Sequence, residues 1–419
     1  MPDAGVDTHW YTSISSATVT FEVSHDRCCC CEKRKKERVK MRIGIITYWA
    51  CNYNYGQLLQ CYALQAFLRA RGHEPFLIKY QFVNTFGSKV IGAFKKPSLL
   101  IRSIKYRISQ MRTREQEFWS TRDFDSFRNK HIVSTKKIYQ SLAQLDTPDV
   151  DADVYVCGSD QIWSELFVQR TDNAKPFFLG FGRNDAKRVA YAASFGMPTV
   201  SDNFIQFIRP LLKQFDGIST REASGVKICA LAGRNDAEHV LDPTLLLRKS
   251  DYLKAFAGEM SQDIKKNRYA FLYFLKTEMN TPWDEIKAFC DNNNLKMKVT
   301  AVYGSQTLPF DEFHDPSIPE WINTINNADV VFANSFHSIV FSIIMQRPFL
   351  VFLRKDYTKG MNDRITSLLI SVGLESRIFD ENKESIASQM SVPIDWNSVE
   401  RSLDVLRDRS TAYINKCSL

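Results

Sequence analysis

The sequence predicts an α/β protein made of two doubly wound, Rossmann-like domains. From residue 41 onward, apolar segments that suit buried strands alternate with segments of helical periodicity, which is typical of parallel sheets with helical crossovers. The alternation starts afresh after Asp242-Pro243. The length of 419 residues also exceeds a single domain of about 150 residues. With 44% hydrophobic and 24% charged residues, the composition excludes a disordered, collagenous or coiled-coil chain.

The first predicted domain covers residues 41–248. Its opening strand, 41–48, leads into a helix at 57–71 whose apolar residues recur at helical spacing, and Gly72 follows that helix as its C′ residue. The later strands of this domain are expected at 75–80, 153–157, 188–193 and 217–220.

The second predicted domain covers residues 249–395, and a C-terminal helix follows at 396–419. Its strands are expected at 269–275, 298–303, 330–333 and 349–353, with helices at 282–292, 319–326 and 336–346. Ligands of doubly wound sheets bind beyond the carboxyl ends of the strands, so polar residues that directly follow a strand are candidates for a site.

Residues 1–40 lie outside both predicted domains. They contain four consecutive cysteines and a highly charged run, and they lack the order of a signal peptide. We expect a disordered or non-native leader, with the natural chain starting at Met41; the alternative is a basic, thiol-bearing tail.

The other six cysteines are scattered, which predicts reduced thiols in the cytoplasm. No apolar run approaches the roughly 18 residues that span a bilayer.

Most of the net charge of +8 comes from one amphipathic insertion at about 81–115. Residues 75–114 carry nine basic side chains and no acid. We expect contact with an anionic membrane surface on the inner face of the cytoplasmic membrane, or with a lipid-linked acceptor, through Lys95, Lys96, Arg102, Lys105 and Arg107. The alternatives are an ordinary surface helix or a lid. Nucleic acid is disfavoured because no nucleic-acid module accompanies the charge.

Two polar segments follow strands in the first domain. Asn54, Tyr55 and Gly56 open the first helix, where backbone N–H groups can bind an anion or polar ligand, unless they only form a tight turn. A second segment follows strand 153–157. In this segment, 158–163, Ser159, Asp160 and Gln161 can form hydrogen bonds with sugar hydroxyls while Trp163 stacks on a pyranose ring. The alternative is that Asp160 caps a helix and Trp163 belongs to the core.

Two further segments carry a cation at the end of a strand. Arg221 can clamp a carboxylate or phosphate beside Glu222, although an Arg-Glu surface pair is the alternative. Ser335 is a natural N-cap that places His337 in the first turn of a helix. A helix N-terminus attracts phosphate and disfavours the imidazolium, which suits acid/base chemistry; a capped core histidine is the alternative.

At these segments the chain resembles the polysaccharide pyruvyl transferase family. The resemblance runs from Met41 to about Leu374 and is carried by the order and spacing of several short motifs. They are Asn-Tyr-Gly at 54–56, Gln-Leu-Leu-Gln-Cys-Tyr-Ala-Leu-Gln at 57–65, Gly-Ser-Asp-Gln-Ile-Trp at 158–163, Tyr-Ala-Ala-Ser-Phe-Gly at 191–196, Ser-Thr-Arg-Glu at 219–222, Leu-Asp-Pro at 241–243, Ser-Phe-His at 335–337 and Arg-Ile-Thr-Ser-Leu-Leu at 364–369.

The resemblance implies a fold similar to GT-B glycosyltransferases and transfer of the enolpyruvyl unit of phosphoenolpyruvate onto two hydroxyls of one sugar. The products are a cyclic pyruvate ketal and phosphate, and the acceptor would be a lipid-linked precursor of a surface polysaccharide such as a capsule or exopolysaccharide. His337 is the candidate general acid, Arg221 the anion clamp and Asp160 a base or sugar ligand. The scheme requires neither a cofactor nor a metal.

One departure separates this chain from the resemblance. Many members have Arg-Leu-His where this chain has Ser335-Phe336-His337, so one anion-binding arginine is absent. Arg364, or else Arg354 or Lys355, is the candidate replacement. The alternatives for the whole protein are a nucleotide-sugar glycosyltransferase on the same architecture and a non-catalytic ligand-binding relative. The acceptor sugar, the ketal stereochemistry and the oligomeric state cannot be predicted from the residues.

Overall fold

Two parallel sheets, each flanked by helices, organise the computed structural model of the chain. It describes residues 40–81, 122–168, 172–261, 268–275, 281–301, 313–355, 359–382 and 384–419. The predicted leader, apart from Lys40, and nearly all of the basic insertion lie outside these residues. The five expected membrane contacts, Lys95, Lys96, Arg102, Lys105 and Arg107, are among those not described.

The first sheet has six parallel strands in the order β2-β1-β3-β4-β5-β6. These are β1 (Arg42–Ile46), β2 (Glu74–Leu77), β3 (Val154–Cys157), β4 (Lys187–Ala193), β5 (Gly217–Thr220) and β6 (Glu238–His239). Strands β1 and β3 are mostly apolar, as expected for a parallel sheet with helices on both faces, and all four residues of β3 are buried. The strand order reverses between β1 and β3, which is where such sheets bind ligands.

Among its described residues this part of the chain forms the helices α1 (Tyr55–Ala70), α2 (Phe124–His131), α3 (Asp202–Leu212) and α4 (Ala223–Leu231). Helix α1 ends where predicted, since Gly72 follows it with a φ of 94° that suits glycine. Its start lies two residues before the predicted one, because Asn54 rather than a later residue is the N-cap.

The second sheet has four parallel strands in the order β10-β9-β7-β8. They are β7 (Tyr269–Phe274), β8 (Lys296–Ala301), β9 (Val330–Ala333) and β10 (Phe349–Val351). The helices here are α5 (Lys249–Ala255), α6 (Trp283–Asn292), α7 (Ile318–Asn327), α8 (Phe336–Ile344), α9 (Asp363–Val372), α10 (Ile386–Ser391) and α11 (Trp396–Lys416).

The prediction of an α/β fold with two sets of parallel strands is confirmed. The two sheets fall on either side of the boundary expected at residues 248 and 249, although the boundary itself stays a prediction. Strands β5 and β9 have the predicted limits, and most of the others differ by one or two residues at an end.

The C-terminal helix, predicted for 396–419, forms as α11 and packs back onto the first sheet. The Tyr413 hydroxyl donates to the carbonyl of Ala190 in β4, at 2.9 Å. A Cβ on Gly217 in β5 would lie 2.6 Å from Cys417 Sγ, so the close approach of this helix requires glycine. The same helix contributes Val399 and Leu403 to the core beneath the second sheet.

Helix α1 is held against elements of the second half of the chain by its first residue. Tyr55 is fully buried, stacks on Trp321 of α7 at 5.0 Å between ring centroids, and donates from its hydroxyl to the carbonyl of Pro316 at 2.7 Å. The N-terminus of α1 is thereby fixed beside the N-terminus of α8.

Candidate active site

The predicted polar segments come together where the carboxyl ends of β3, β5 and β9 meet the N-termini of α1 and α8. Parallel strands end at the same edge of a sheet, which explains why segments distant in sequence converge. The residues that converge are Ser159, Asp160, Gln161, Arg221, Glu222, Ser335, His337 and Arg364, with Gly56 at the start of α1.

Asp242 lies at the centre of this cluster. It is fully buried, and its Oδ2 accepts from Arg221 Nη1 at 2.8 Å and from Ser159 Oγ at 2.9 Å. The same oxygen lies 3.7 Å from His337 Nε2. Its Oδ1 accepts from the backbone N–H of Thr244 at 3.0 Å and from the Thr244 hydroxyl at 2.6 Å. One carboxylate therefore holds the arginine and the histidine that the sequence singled out.

Sequence reasoning did not include Asp242 among the site residues. It entered only as part of the Leu-Asp-Pro motif at 241–243. The signal that could have found it is its position just after β6, at the same edge of the sheet as the other segments.

The environment of Asp242 keeps it ionised. Burial alone would raise its pKa, but the nearby His337 and Arg221 and the hydrogen bonds from Thr244 outweigh burial and hold the pKa well below its usual range. The Asp242 carboxylate therefore carries its negative charge beside Arg221 and His337.

Arg221 is buried, with 1% of its side chain exposed. Burial alone would lower its pKa, but the carboxylates of Asp242, Asp160 and Glu222 raise it. Its Cζ lies 4.6 Å from the ring centroid of Phe336. Among the described residues, its Nε and Nη2 have no hydrogen-bond partner. Arg221 thus has donors left for an anionic ligand.

Arg364 supplies a second buried guanidinium next to the same ring. Its Cζ lies 5.7 Å from the centroid of Phe336. With the Gln161 amide oxygen turned towards it, Arg364 donates to that oxygen from both terminal nitrogens. Burial, reinforced by the charges of Arg221 and Arg354, lowers its pKa to about 9. The two guanidinium groups therefore repel each other, which favours a bound anion between or beside them.

The other two candidate cations have different surroundings. Lys355 forms an exposed ion pair with Glu381 at 2.8 Å. Arg354 follows β10, and its Nη1 lies 3.3 Å from Met361 Sδ. It contributes charge near Arg364 but is not stacked on Phe336 in the way that Arg221 and Arg364 are.

His337 lies in the first turn of α8, as predicted, with Ser335 as the N-cap residue. The Ser335 side chain makes no capping hydrogen bond to the helix, so Ser335 takes the predicted position without the expected cap contact. A Cβ on Gly56 would lie 1.9 Å from His337 Nδ1. Glycine at this position thus lets the imidazole pack against the first turn of α1, and the N-terminal ends of two helix dipoles converge on it.

The loop after β3 is held from several sides. The backbone N–H of Ser159 donates to Gln60 Oε1 and its carbonyl accepts from the Thr47 hydroxyl, both at 3.0 Å. A Cβ on Gly158, whose φ is 113°, would lie 2.1 Å from the carbonyl oxygen of Tyr191. Ser159 is fully buried, so it positions Asp242 and is not placed to contact a ligand itself.

Asp160 faces the cluster from the same loop. Its Oδ1 accepts from the backbone N–H of Gln161 at 2.8 Å and lies 4.0 Å from Arg221 Nη2. Its side chain is 9% exposed, which leaves the second carboxylate oxygen able to reach a ligand. Asp160 therefore fits the expected role of base or hydroxyl ligand.

Glu222 is not the surface partner of an Arg-Glu pair. Its Oε1 accepts from the backbone N–H groups of Phe195 and Gly196 at 2.7 and 3.2 Å, and the side chain is fully buried. Burial raises its pKa, although Arg221 and these N–H groups oppose the rise. Its Oε2 has no hydrogen-bond partner within the described part of the chain.

Trp163 occupies the core position that the sequence left open as the alternative to stacking on a sugar. It is 0% exposed, donates from Nε1 to the carbonyl of Phe177 at 3.0 Å and stacks on Phe178 at 5.3 Å. The Tyr55 side chain is equally buried, against Trp321, so Tyr55 can offer a ligand only its backbone, which is the contact expected at the start of α1. Asn54 is partly buried and makes no side-chain cap bond.

Neither a metal cluster nor a spanning helix is found in the ranges that the structure describes. No group of three or more His, Cys, Asp or Glu side chains in those ranges could hold a metal ion. None of the helices formed there is both long enough and apolar enough to cross a bilayer.

Comparison with known proteins identifies one family. The family described as "Polysaccharide pyruvyl transferase" matches residues 54–356. No curated protein matches the sequence.

Among solved structures, similar chains include a UDP-N-acetylglucosamine 2-epimerase from Rickettsia bellii, with a TM-score of 0.47, 10% identity, and coverage of 90% of this chain and 96% of that one. A putative UDP-N-acetylglucosamine 2-epimerase from Listeria monocytogenes has a TM-score of 0.45 at 10% identity, and the match covers 88% of this chain and 90% of that one. An alpha-glucosyltransferase in complex with UDP and DNA has a TM-score of 0.41 at 10% identity, and the match covers 90% of this chain and 93% of that one.

Proposed function

Because the chain belongs to the polysaccharide pyruvyl transferase family and is therefore a transferase, we propose that it moves the enolpyruvyl unit of phosphoenolpyruvate onto two hydroxyls of a sugar. The products are a cyclic pyruvate ketal and phosphate. The observation that carries this proposal is the buried cluster of Arg221, Arg364 and His337 around Phe336.

This cluster suits a small molecule with two anionic groups. Phosphoenolpyruvate carries a carboxylate and a phosphate on adjacent positions, and two arginine forks can each bind one of them. Unpartnered N–H atoms on Arg221 and Arg364 support this assignment. Arg364 takes the place of the arginine that this chain lacks at Ser335, since it lies beside the same ring as Arg221.

The proposed chemistry begins at the vinyl carbon. Protonated His337 gives its proton to the CH₂ carbon, and the neighbouring carbon becomes an oxocarbenium that the first sugar hydroxyl attacks. Loss of phosphate regenerates an oxocarbenium, and the second hydroxyl closes the ketal. Asp160 accepts the proton of the first hydroxyl and passes it to the departing phosphate, and His337, neutral after its first step, accepts the proton of the second hydroxyl. Asp242 lies beside His337 and orients Arg221.

The test is phosphate release from phosphoenolpyruvate in the presence of a sugar acceptor. His337→Ala should lower turnover at least about 100-fold, since general acid catalysis contributes roughly 10²–10⁴ in rate. It should leave thermal stabilisation by phosphoenolpyruvate in place. His239→Ala is the matched control, because His239 is a half-buried histidine whose Nε2 lies 3.0 Å from the carbonyl oxygen of Arg221 at the edge strand. Full turnover in the His337 variant would remove it from the mechanism.

The same assay separates the alternatives. A nucleotide-sugar glycosyltransferase would release nucleotide from a sugar donor and no phosphate from phosphoenolpyruvate. A non-catalytic relative would be stabilised by phosphoenolpyruvate without turning it over. Turnover that survives exhaustive chelation would support the proposal that neither a metal nor another cofactor takes part.

We also propose that the acceptor is lipid-linked and that the basic insertion brings the protein to the inner face of the cytoplasmic membrane. The charge of residues 75–114 supports this. Co-sedimentation should be greater with vesicles that contain anionic lipid than with neutral vesicles. Equal sedimentation with both would contradict membrane contact.

A further inference from the structure

A second cavity lies next to the proposed phosphoenolpyruvate site, beyond the carboxyl ends of β1 and β2. It has a volume of about 240 Å³. Aromatic side chains are the largest group in its lining, and amides are among the others; the main lining residues are Tyr48, Trp49, Gln57, Tyr80, Phe167 and Phe177. We call it the aromatic cleft.

The aromatic walls of the cleft are fixed by contacts among themselves. The ring of Phe177 meets Tyr48 edge-on at 5.1 Å and Tyr80 at 5.4 Å between centroids. The indole N–H of Trp49 donates to the carbonyl of Tyr80 at 2.8 Å. At the mouth, Phe167 is 51% exposed. Rings held in this way offer flat apolar faces with little conformational entropy to lose on binding.

The cleft shares a wall with the active site. Tyr48 follows Thr47, whose hydroxyl donates to the carbonyl of Ser159 at 3.0 Å. Gln57 follows Gly56, which packs against the ring of His337. After burial, the negative charge of Asp160 is the further cause that raises the pKa of the Tyr48 hydroxyl. Because Asp160 directly follows Ser159, a ligand in the cleft would lie near the loop that carries Asp160.

The chemistry of the lining selects for a neutral ligand. The described lining residues include no Lys, Arg, Asp or Glu. Their polar groups are the amides of Gln57, Gln81 and Asn173, the hydroxyls of Tyr48 and Tyr80, and the thiol of Cys51. Apolar ring faces with a few amide donors and acceptors match the C–H face and the hydroxyls of a pyranose. They do not match a phosphate or nucleotide diphosphate.

We propose that the aromatic cleft binds the ring of a neutral acceptor pyranose, with its reacting hydroxyls turned towards Asp160. This inference rests on the proposed function, because it identifies the second substrate of the same site. Phe167 and Trp49 would then stack on the sugar ring, which is the role that the sequence predicted for Trp163. The volume lies below the roughly 300 Å³ of sites for drug-sized ligands, so it suits one sugar ring, with any further sugars outside.

The test compares two neighbouring side chains of equal exposure. Leu166 and Phe167 are both 51% exposed, but only Phe167 lines the cleft. Saturation-transfer NMR on the full chain would use four probes: the methyl pyranosides of galactose, glucose, mannose and N-acetylglucosamine. At least one probe should bind to the wild type. Phe167→Ala should weaken that binding by about threefold to tenfold, as expected for loss of one aromatic contact, while Leu166→Ala should leave it unchanged.

Two results would overturn the inference: no binding by any of the four pyranosides, or equal effects of the two substitutions. Thermal stabilisation by phosphoenolpyruvate is measured in parallel and reports on the proposed donor site alone. Binding of a pyranoside that depends on Phe167 without any response to phosphoenolpyruvate would leave the cleft as a sugar site and contradict the proposed function. The reverse pattern would contradict only the cleft.

Discussion

Among single residues, Asp242 has the greatest influence on the proposed site because one of its oxygens faces both functional cations. Arg221 and His337 lie 2.8 and 3.7 Å from Oδ2. Removing that negative charge would leave a buried guanidinium without its ion-pair partner. Asp242 is thus a positioning residue, since it acts on the reaction through Arg221 and His337.

We expect Asp242→Asn to lower turnover about 100-fold or more, because Arg221 and His337 lose the carboxylate that lies between them. The free energy of unfolding should fall by about 3–5 kcal/mol, as for other buried ion pairs that lose one partner. Phosphate release and thermal unfolding measure the two effects. Asp185→Asn is the control, because Asp185 pairs with Arg183 at the surface at 3.1 Å. Wild-type turnover in the Asp242 variant would contradict the role.

The pH dependence of stability provides a second control on the same residue. The folded-state pKa of Asp242 is depressed, so its stabilising contribution is present above the unfolded-state pKa of about 3.9 and is lost as the pH falls through the folded-state value. The difference in unfolding free energy between wild type and Asp242→Asn should therefore be constant near neutrality and should narrow below about pH 4. A constant difference at all pH values would mean that the variant acts by shape and not by charge.

Helices α1 and α8 form the element-scale feature of the site, since their N-termini meet at His337. The contact needs a residue without a side chain at position 56, because a Cβ there would lie 2.1 Å from His337 Cγ. The approach is fixed from the other side by Tyr55 on Trp321. The position of the imidazole is therefore determined by the packing of two helices and not by its own hydrogen bonds.

We expect Gly56→Ala to displace the His337 ring and to lower turnover about 10- to 100-fold. Its effect on stability should be small, because overpacking costs about 1–3 kcal/mol while alanine in a helix regains up to about 1 kcal/mol over glycine. The substitution should thus lower turnover clearly while changing the temperature of thermal unfolding only slightly. Gly258→Ala is the matched control, since a Cβ at that glycine has no neighbour within 4 Å. Equal turnover in both variants would contradict the packing argument.

The elements were predictable from the sequence because buried parallel strands have a strong apolar signal, as in β3 and β9. The convergence of Arg221, Asp160 and His337 was also predictable, since each follows a strand. The direction in which a side chain points could not be predicted in this way. Trp163 follows a strand too, yet it turns into the core and stacks on Phe178. Asp242 was missed because its importance comes from contacts with residues 83, 21 and 95 positions away, at Ser159, Arg221 and His337.

At the scale of the whole molecule, one hydrophobic cluster joins the first half of the chain to the second. A single cluster of buried side chains contains Trp49, Tyr55 and Leu58 from the first half of the chain together with Tyr273 and Trp321 from the second. Helix α11 continues the connection, because it begins in this cluster and ends against β4 through Tyr413. The active site lies where these parts meet, so its geometry depends on the packing of both.

We therefore expect the described chain from Lys40 to Leu419 to unfold in one cooperative transition and not in two. The calorimetric and van't Hoff enthalpies of unfolding should agree. Tyr413→Phe removes the hydrogen bond from α11 to Ala190, which is worth about 0.5–1.5 kcal/mol, and should shift the entire transition down by about 2 °C without splitting it. Phosphoenolpyruvate should raise the same single transition, because its site needs both halves. Two separate transitions, with only one of them responding to Tyr413→Phe, would show that the halves fold independently and that the shared core contributes little to their coupling.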